Sequence, residues 1–184
     1  MFSYLSLLVL RAKLIKIFKS IEFGDLVFCC VGNSKIYFDG FASDVYNLVK
    51  NSNLKYECSK KIFFIKIDST DEKIIINTVK IARRKFNTPF IVMIDCSISN
   101  GDSSLGAVIV KNKGLIPKSG FRANENVELI GDASITCVLG KVCNFDYLKK
   151  IKVLKNQLKL ANAFVERKSA RFASQVILES LKTF

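Results

Sequence analysis

Residues 89–97 read Pro-Phe-Ile-Val-Met-Ile-Asp-Cys-Ser. Five apolar residues in a row, Phe90 to Ile94, fit a strand buried on both faces, as in the middle of a parallel sheet. The run stops at Asp95. An acid at the carboxyl end of a central strand stands where open α/β sheets form their ligand crevice. Asp95 is therefore a candidate functional residue, although an acid in that position also bonds the backbone of a following turn.

The segments before it build the rest of the sheet. Leu26 to Val31 is another continuous apolar run, closed by Gly32-Asn33 and a short loop to Gly40. Residues 42–50 read as a helix with Val45, Leu48 and Val49 on one face. Residues 62–67 form a second apolar strand. Asp71-Glu72 open a helix that closes on Arg83-Arg84-Lys85, charges that suit the two ends of its dipole. Ile75, Val79 and Ala82 are its buried stripe, and Asn87-Thr88-Pro89 breaks it. The order β-α-β-α-β implies right-handed crossovers and a parallel sheet.

Downstream, residues 105–110 are a short strand for which antiparallel pairing is an option, and residues 111–132 are long and irregular. A connection of that length in a compact domain is usually functional or flexible. Residues 134–139 are a last strand, and residues 145–184 are helical, a short helix and then a long one. The long one carries Leu154, Leu158, Ala161, Val165, Phe172 and Val176 at helical spacing. No repeat or low-complexity linker interrupts the chain, so one domain over residues 1–184 is expected.

The 184 residues are 49% hydrophobic, enough for a full core and too apolar for disorder. The net charge of +13 favours anionic partners in general. Its Lys and Arg residues are dispersed over helices, without an interleaved aromatic-and-basic motif, so no specific nucleic-acid partner is expected. Histidine is absent, which excludes a Ser-His or Cys-His triad and a His-ligated metal supplied by this chain. None of the six cysteines forms a Cys-x-x-Cys pair. Cys29, Cys30, Cys96 and Cys137 sit in or beside apolar runs and read as small buried hydrophobes, which suits a reducing, cytoplasmic setting. Met1 to Leu10 is apolar but ends at Arg11, too short for a membrane span. With Leu7, Leu8, Leu14, Ile15 and Phe18 at helical spacing, residues 1–22 read as an amphipathic helix packed on the domain. A helix lying on a membrane surface is the alternative.

Asp39 and Asp95 occupy matching places, after the first and third strands. In a parallel sheet both loops leave the same edge, so the two carboxylates can meet across 56 positions of sequence. Such a pair can share a proton, one acting as base and one as acid. It can equally hold a divalent cation through oxygen ligands, or each acid can simply cap its turn.

Residues 30–40, Cys-Val-Gly-Asn-Ser-Lys-Ile-Tyr-Phe-Asp-Gly, resemble the Gly-Asn and Asp loop of the superfamily of hydrogenase maturation and germination proteases. Residues 91–96, Ile-Val-Met-Ile-Asp-Cys, resemble its second acid strand. Residues 114–121, Gly-Leu-Ile-Pro-Lys-Ser-Gly-Phe, and 131–136, Gly-Asp-Ala-Ser-Ile-Thr, resemble later segments of the YyaC-like spore proteases within it. The resemblance covers roughly residues 26–142.

It implies a three-layer α/β/α fold of phosphorylase/peptidase type with a mainly parallel central sheet. It also implies a sporulation-linked peptidase acting on protein or peptide, with Asp39 and Asp95 catalytic and Gly32, Asn33 and Gly120 binding substrate. No resident cofactor is expected, a cation between the two aspartates being the alternative. Asp44 and Asp132 are secondary acids. The chain departs from the pattern at Asp39-Gly40-Phe41-Ala42-Ser43, where relatives continue Asp-Ser/Ala-Leu-Gly-Pro. It also lacks the histidine of the nickel-sensing maturation proteases, so that activity is not expected. A non-catalytic sporulation factor, or a protein-binding module on the same scaffold, is the competing reading.

Overall fold

The computed structural model describes residues 4–33, 39–52, 60–99, 104–116, 128–141 and 154–183. Five strands form one sheet: β1 Leu26–Val31, β2 Ile62–Ile67, β3 Phe90–Ser99, β4 Val108–Lys111 and β5 Ala133–Lys141. Among the described residues four helices accompany them: α1 Tyr4–Lys19, α2 Phe41–Lys50, α3 Glu72–Lys85 and α4 Leu154–Leu181. The spatial order is β2-β1-β3-β5-β4, parallel except for β4, which runs antiparallel to β5 at the edge. This is the mixed α/β architecture with a mostly parallel central sheet that the apolar runs predict.

Alternation along the strands divides the core. Leu26, Phe28 and Cys30 of β1 pack with Leu14, Ile17 and Phe18 of α1, with Val45 and Val49 of α2, and with Ala173, Val176 and Ile177 of α4. Val27, Cys29 and Val31 face Ile75, Val79 and Ala82 of α3. One face of the sheet thus carries α1, α2 and α4, and the other carries α3. Phe28 stacks on Phe64, with ring centroids 4.7 Å apart, and meets the edge of Phe18 at 6.1 Å. An aromatic cluster of this kind adds to simple area burial and anchors α1 to β1 and the edge strand β2.

Several expectations need correction. Asp95 does not end its strand. β3 continues to Ser99 because β5 stays beside it, whereas pairing with β1 stops at Cys30↔Ile94. Asp95 is therefore the first residue of β3 beyond β1, and the opening at that sheet edge arises because β1 is the shorter strand. Leu8 and Leu48 point outward, at 38% and 39% exposure, and Ile17 is buried in α1 although the expected stripe omits it. Leu105 lies in a turn before β4, not in the strand. The irregular stretch from Lys111 is pinned within its described part by an isolated bridge between Leu115 and Ile130. Residues 117–127, with Gly120, and residues 142–153, with the expected short helix, lie outside the described residues.

Candidate active site

β1 and β3 are neighbours in the sheet, yet the chain leaves β1 towards β2 through α2 and arrives at β3 from β2 through α3. That reversal is the arrangement that opens a crevice at the carboxyl ends of two adjacent strands. Asp39 enters it from the loop after β1, and Asp95 from β3 itself.

Gly32 makes the approach of Asp39 feasible. Its φ of +151° is one that side-chain-bearing residues rarely adopt, and a Cβ there would lie 2.2 Å from the Asp39 carbonyl oxygen. The loop folds back onto the end of β1, and the Asn33 backbone N–H donates to Asp39 Oδ2 at 2.7 Å. The Cys96 thiol donates to Asp39 Oδ1 at 3.4 Å, and the Cys96 backbone N–H donates to Asp95 Oδ1 at 2.7 Å. An oxygen of Asp39, an oxygen of Asp95 and Cys96 Sγ all lie within 4.8 Å of one another. Two hydrogen bonds of about 2.8 Å meeting at one water span roughly that distance.

The electrostatics separate the two acids. Burial raises the proton affinity of Asp95, the charge of Asp39 raises it further, and the Cys96 N–H offsets only part, so its pKa is pushed up to about 8. Burial also raises Asp39, but the Asn33 N–H and the Cys96 thiol stabilise its charged form, against repulsion from Asp68. Among the described residues neither acid forms an ion pair with Lys or Arg. The pair therefore titrates as a unit. Asp95 is the member whose carboxyl is pushed furthest towards its protonated form, by burial and by the charge of Asp39.

Two further groups border the pair. Glu166 of α4 accepts a hydrogen bond from the Gly40 backbone. Burial first, then Asp44, raises its pKa to about 7. It thereby ties the long helix to the residue after Asp39, at the start of α2, where Gly40 provides no side-chain cap. Asp44 is likewise raised by burial, with Arg167 and Lys66 opposing. Sequence reading missed Glu166 entirely. It lies 127 positions from Asp39 in a helix read only for its apolar stripe, and no local motif marks it.

Cys96 was also misjudged. Cys29, Cys30 and Cys137 are buried apolar thiols as expected, but Cys96 is only partly buried and faces the carboxylates. Burial and the adjacent acids push its thiol well above the usual cysteine range, so it is a proton donor here and not a thiolate.

The other sequence-predicted residues separate. Gly32 and the Asn33 backbone shape the Asp39 loop. Asp44 stands at the rim, in the first turn of α2. Asp132 lies at the opposite end of β3. It accepts from Arg83 at 2.6 Å and from the Ile91 N–H at 2.7 Å, and its role there is structural. Chemically, Asp39, Asp95 and Cys96 can hold a water between a base and an acid. Their two oxygens and one sulfur would also suit a borderline divalent ion such as zinc, once that ion had displaced the Cys96 proton.

The fold is shared with a [NiFe] hydrogenase maturation protease, HycI, from Thermococcus kodakarensis. The TM-score is 0.52 at 15% identity, over 92% of this chain and 99% of that one. No curated protein matches the sequence. Residues 6–167 match the model of a family described as a protein of unknown function, DUF1256, and the chain belongs to that family.

Proposed function

We propose that this protein is a peptidase that hydrolyses peptide bonds with a water activated between Asp39 and Asp95. The observation that carries the reading is the approach of the two carboxylates to within the span of one shared water. Their proton affinities assign the roles. Ionised Asp39, held by the Asn33 N–H, accepts a proton from the water as it attacks the scissile carbonyl. Protonated Asp95 donates to the carbonyl oxygen as charge develops there. The C–N bond then breaks as the proton gained by Asp39 passes to the leaving amine, and a hydroxyl of the tetrahedral intermediate returns its proton to Asp95 as the carbonyl re-forms, which restores the starting state. The likeness of the Gly-Asn, Asp and Gly-Asp segments to YyaC-like spore proteases supports a protein substrate and a sporulation-linked role. The maturation-protease neighbour supports the peptidase class through fold alone.

The test is cleavage of small basic spore proteins by the wild type, Asp39→Asn, Asp95→Asn and the double variant. Each single change should reduce turnover by about 10²–10⁴-fold. The double variant should be little worse than either single one, because the two groups act as a unit. Independent, multiplicative losses would contradict the shared site. A wild type that cleaves no peptide yet binds a partner protein reproducibly would identify a binding module instead.

A further inference from the structure

Helix α1 packs on α4 and β4 through Leu14, Ile17 and Phe18, with Leu7 and Leu10 beside them. Its other side is of a different kind. At 100° per residue, Leu5, Leu8, Val9, Ala12, Lys13, Lys16 and Lys19 fall within an outward arc of about 140°. The first half of that stripe is apolar and the second half is basic. Leu5, Val9 and Leu8 are 70%, 48% and 38% exposed, and Tyr4 beside them is 77% exposed. Elsewhere, exposed large apolar residues are scattered. Ile74 and Ile81 on α3, for example, have Asn77 and Thr78 between them.

The lysines alone would be accounted for by the helix dipole, which favours cations near the carboxyl end. The dipole gives no reason for four neighbouring apolar side chains in water. A second copy of α1 is a poor cover for them. Parallel pairing sets lysine against lysine, and antiparallel pairing sets lysine on leucine. An anionic bilayer surface fits both halves, because apolar side chains enter the acyl boundary while lysine stems lie along it and carry their charges to the headgroups. The net charge of +13 adds long-range attraction to such a surface. No described helix is long and apolar enough to cross a membrane, so the contact is peripheral.

We propose that the outward face of α1 docks this protein reversibly on an anionic lipid surface, with Leu5, Leu8 and Val9 at the acyl boundary and Lys13, Lys16 and Lys19 among the headgroups.

The test is co-sedimentation of the full chain with vesicles of phosphatidylcholine alone or mixed equally with phosphatidylglycerol. The mixed vesicles should retain the protein and the zwitterionic ones should not, and salt should release it. Removing three lysines as K13Q/K16Q/K19Q should weaken binding by about 100-fold, at roughly fivefold per cation. L5S/V9S should weaken it at least about tenfold, with the thermal midpoint unchanged because neither side chain is in the core. Failure to bind mixed vesicles, or equal binding by both variants, would overturn the proposal. So would a dimer seen by sedimentation that L5S/V9S dissolves.

Discussion

The two ends of β3 treat acids in opposite ways. At the amino end Asp132 has a cation, Arg83, on one oxygen and the Ile91 N–H on the other, and Arg83 also donates to the Pro89 carbonyl. That acid closes the entry to β3 and ties it to α3 and to the start of β5. At the carboxyl end Asp39 and Asp95 face each other, with Glu166 and Asp44 at the rim, and no described cation pairs with either central acid. A fold that needed carboxylates only for its turns would give both ends the first arrangement. Acids crowded without counter-charges lower stability, and strongly shifted groups in a crevice are candidates for chemistry, which is the ground for the proposed peptidase site.

Displacing the Asp39 loop should have the largest effect on the carboxyl end of β3. Gly32→Ala places a methyl carbon against the Asp39 carbonyl in a strained backbone region, and should lower stability by about 1–3 kcal/mol and abolish turnover. Urea unfolding and the cleavage assay read both effects. An active, equally stable variant would mean that the loop does not depend on this contact.

Removing each acid should then shift stability in opposite directions. Asp132→Ala leaves the Ile91 N–H without its acceptor, takes one of two from Arg83, and should cost about 1–3 kcal/mol, seen as a lower thermal midpoint. Asp95→Asn removes a charge that the folded state resists and should raise the midpoint at pH 8. A lower midpoint for Asp95→Asn at that pH would return Asp95 to a structural role.

The pH dependence follows with a defined sign. Asp95 and Glu166 bind protons more tightly folded than unfolded, with pKa values of about 8 and about 7 against 3.8 and 4.5. Their contribution to stability is full below pH 4 and is lost as pH rises towards 8, because the folded state then binds the excess protons. The wild type should lose stability across that window and Asp95→Asn should lose less. Turnover should fall as Asp95 ionises near pH 8.

The smallest change concerns Cys96. Cys96→Ser keeps a donor to Asp39 and should leave activity within a few-fold. Cys96→Ala removes the donor and should move the rising limb of the pH profile upward. Equal effects of the two would deny the thiol its hydrogen-bonding role.

The strands, their parallel order and the buried stripe of α3 were legible in the sequence because each rests on a local apolar pattern. Asp39 and Asp95 stood out as candidates because Asp95 directly follows such a run and Asp39 lies in the loop after one. The extension of β3 past Asp95 was hidden, since it depends on β5, 38 positions away at Ala133. Glu166 and the contact of Cys96 with Asp39 were hidden for the same reason, as each arises from packing between distant elements. Asp132 had been grouped with the acids of the site, because nothing local distinguishes an acid that will meet Arg83 from one that will meet another acid.

The proposed chemistry requires that Asp39 and Asp95 form one coupled pair in which Asp95 keeps its proton near neutral pH. Carboxyl-carbon NMR titration of the full chain, with assignments from Asp39→Asn and Asp95→Asn, tests it directly and without a substrate. The Asp95 resonance should titrate near pH 8 and shift to lower pH when Asp39 is replaced by Asn. An Asp95 that ionises in the ordinary carboxylate range, indifferent to Asp39, would contradict it.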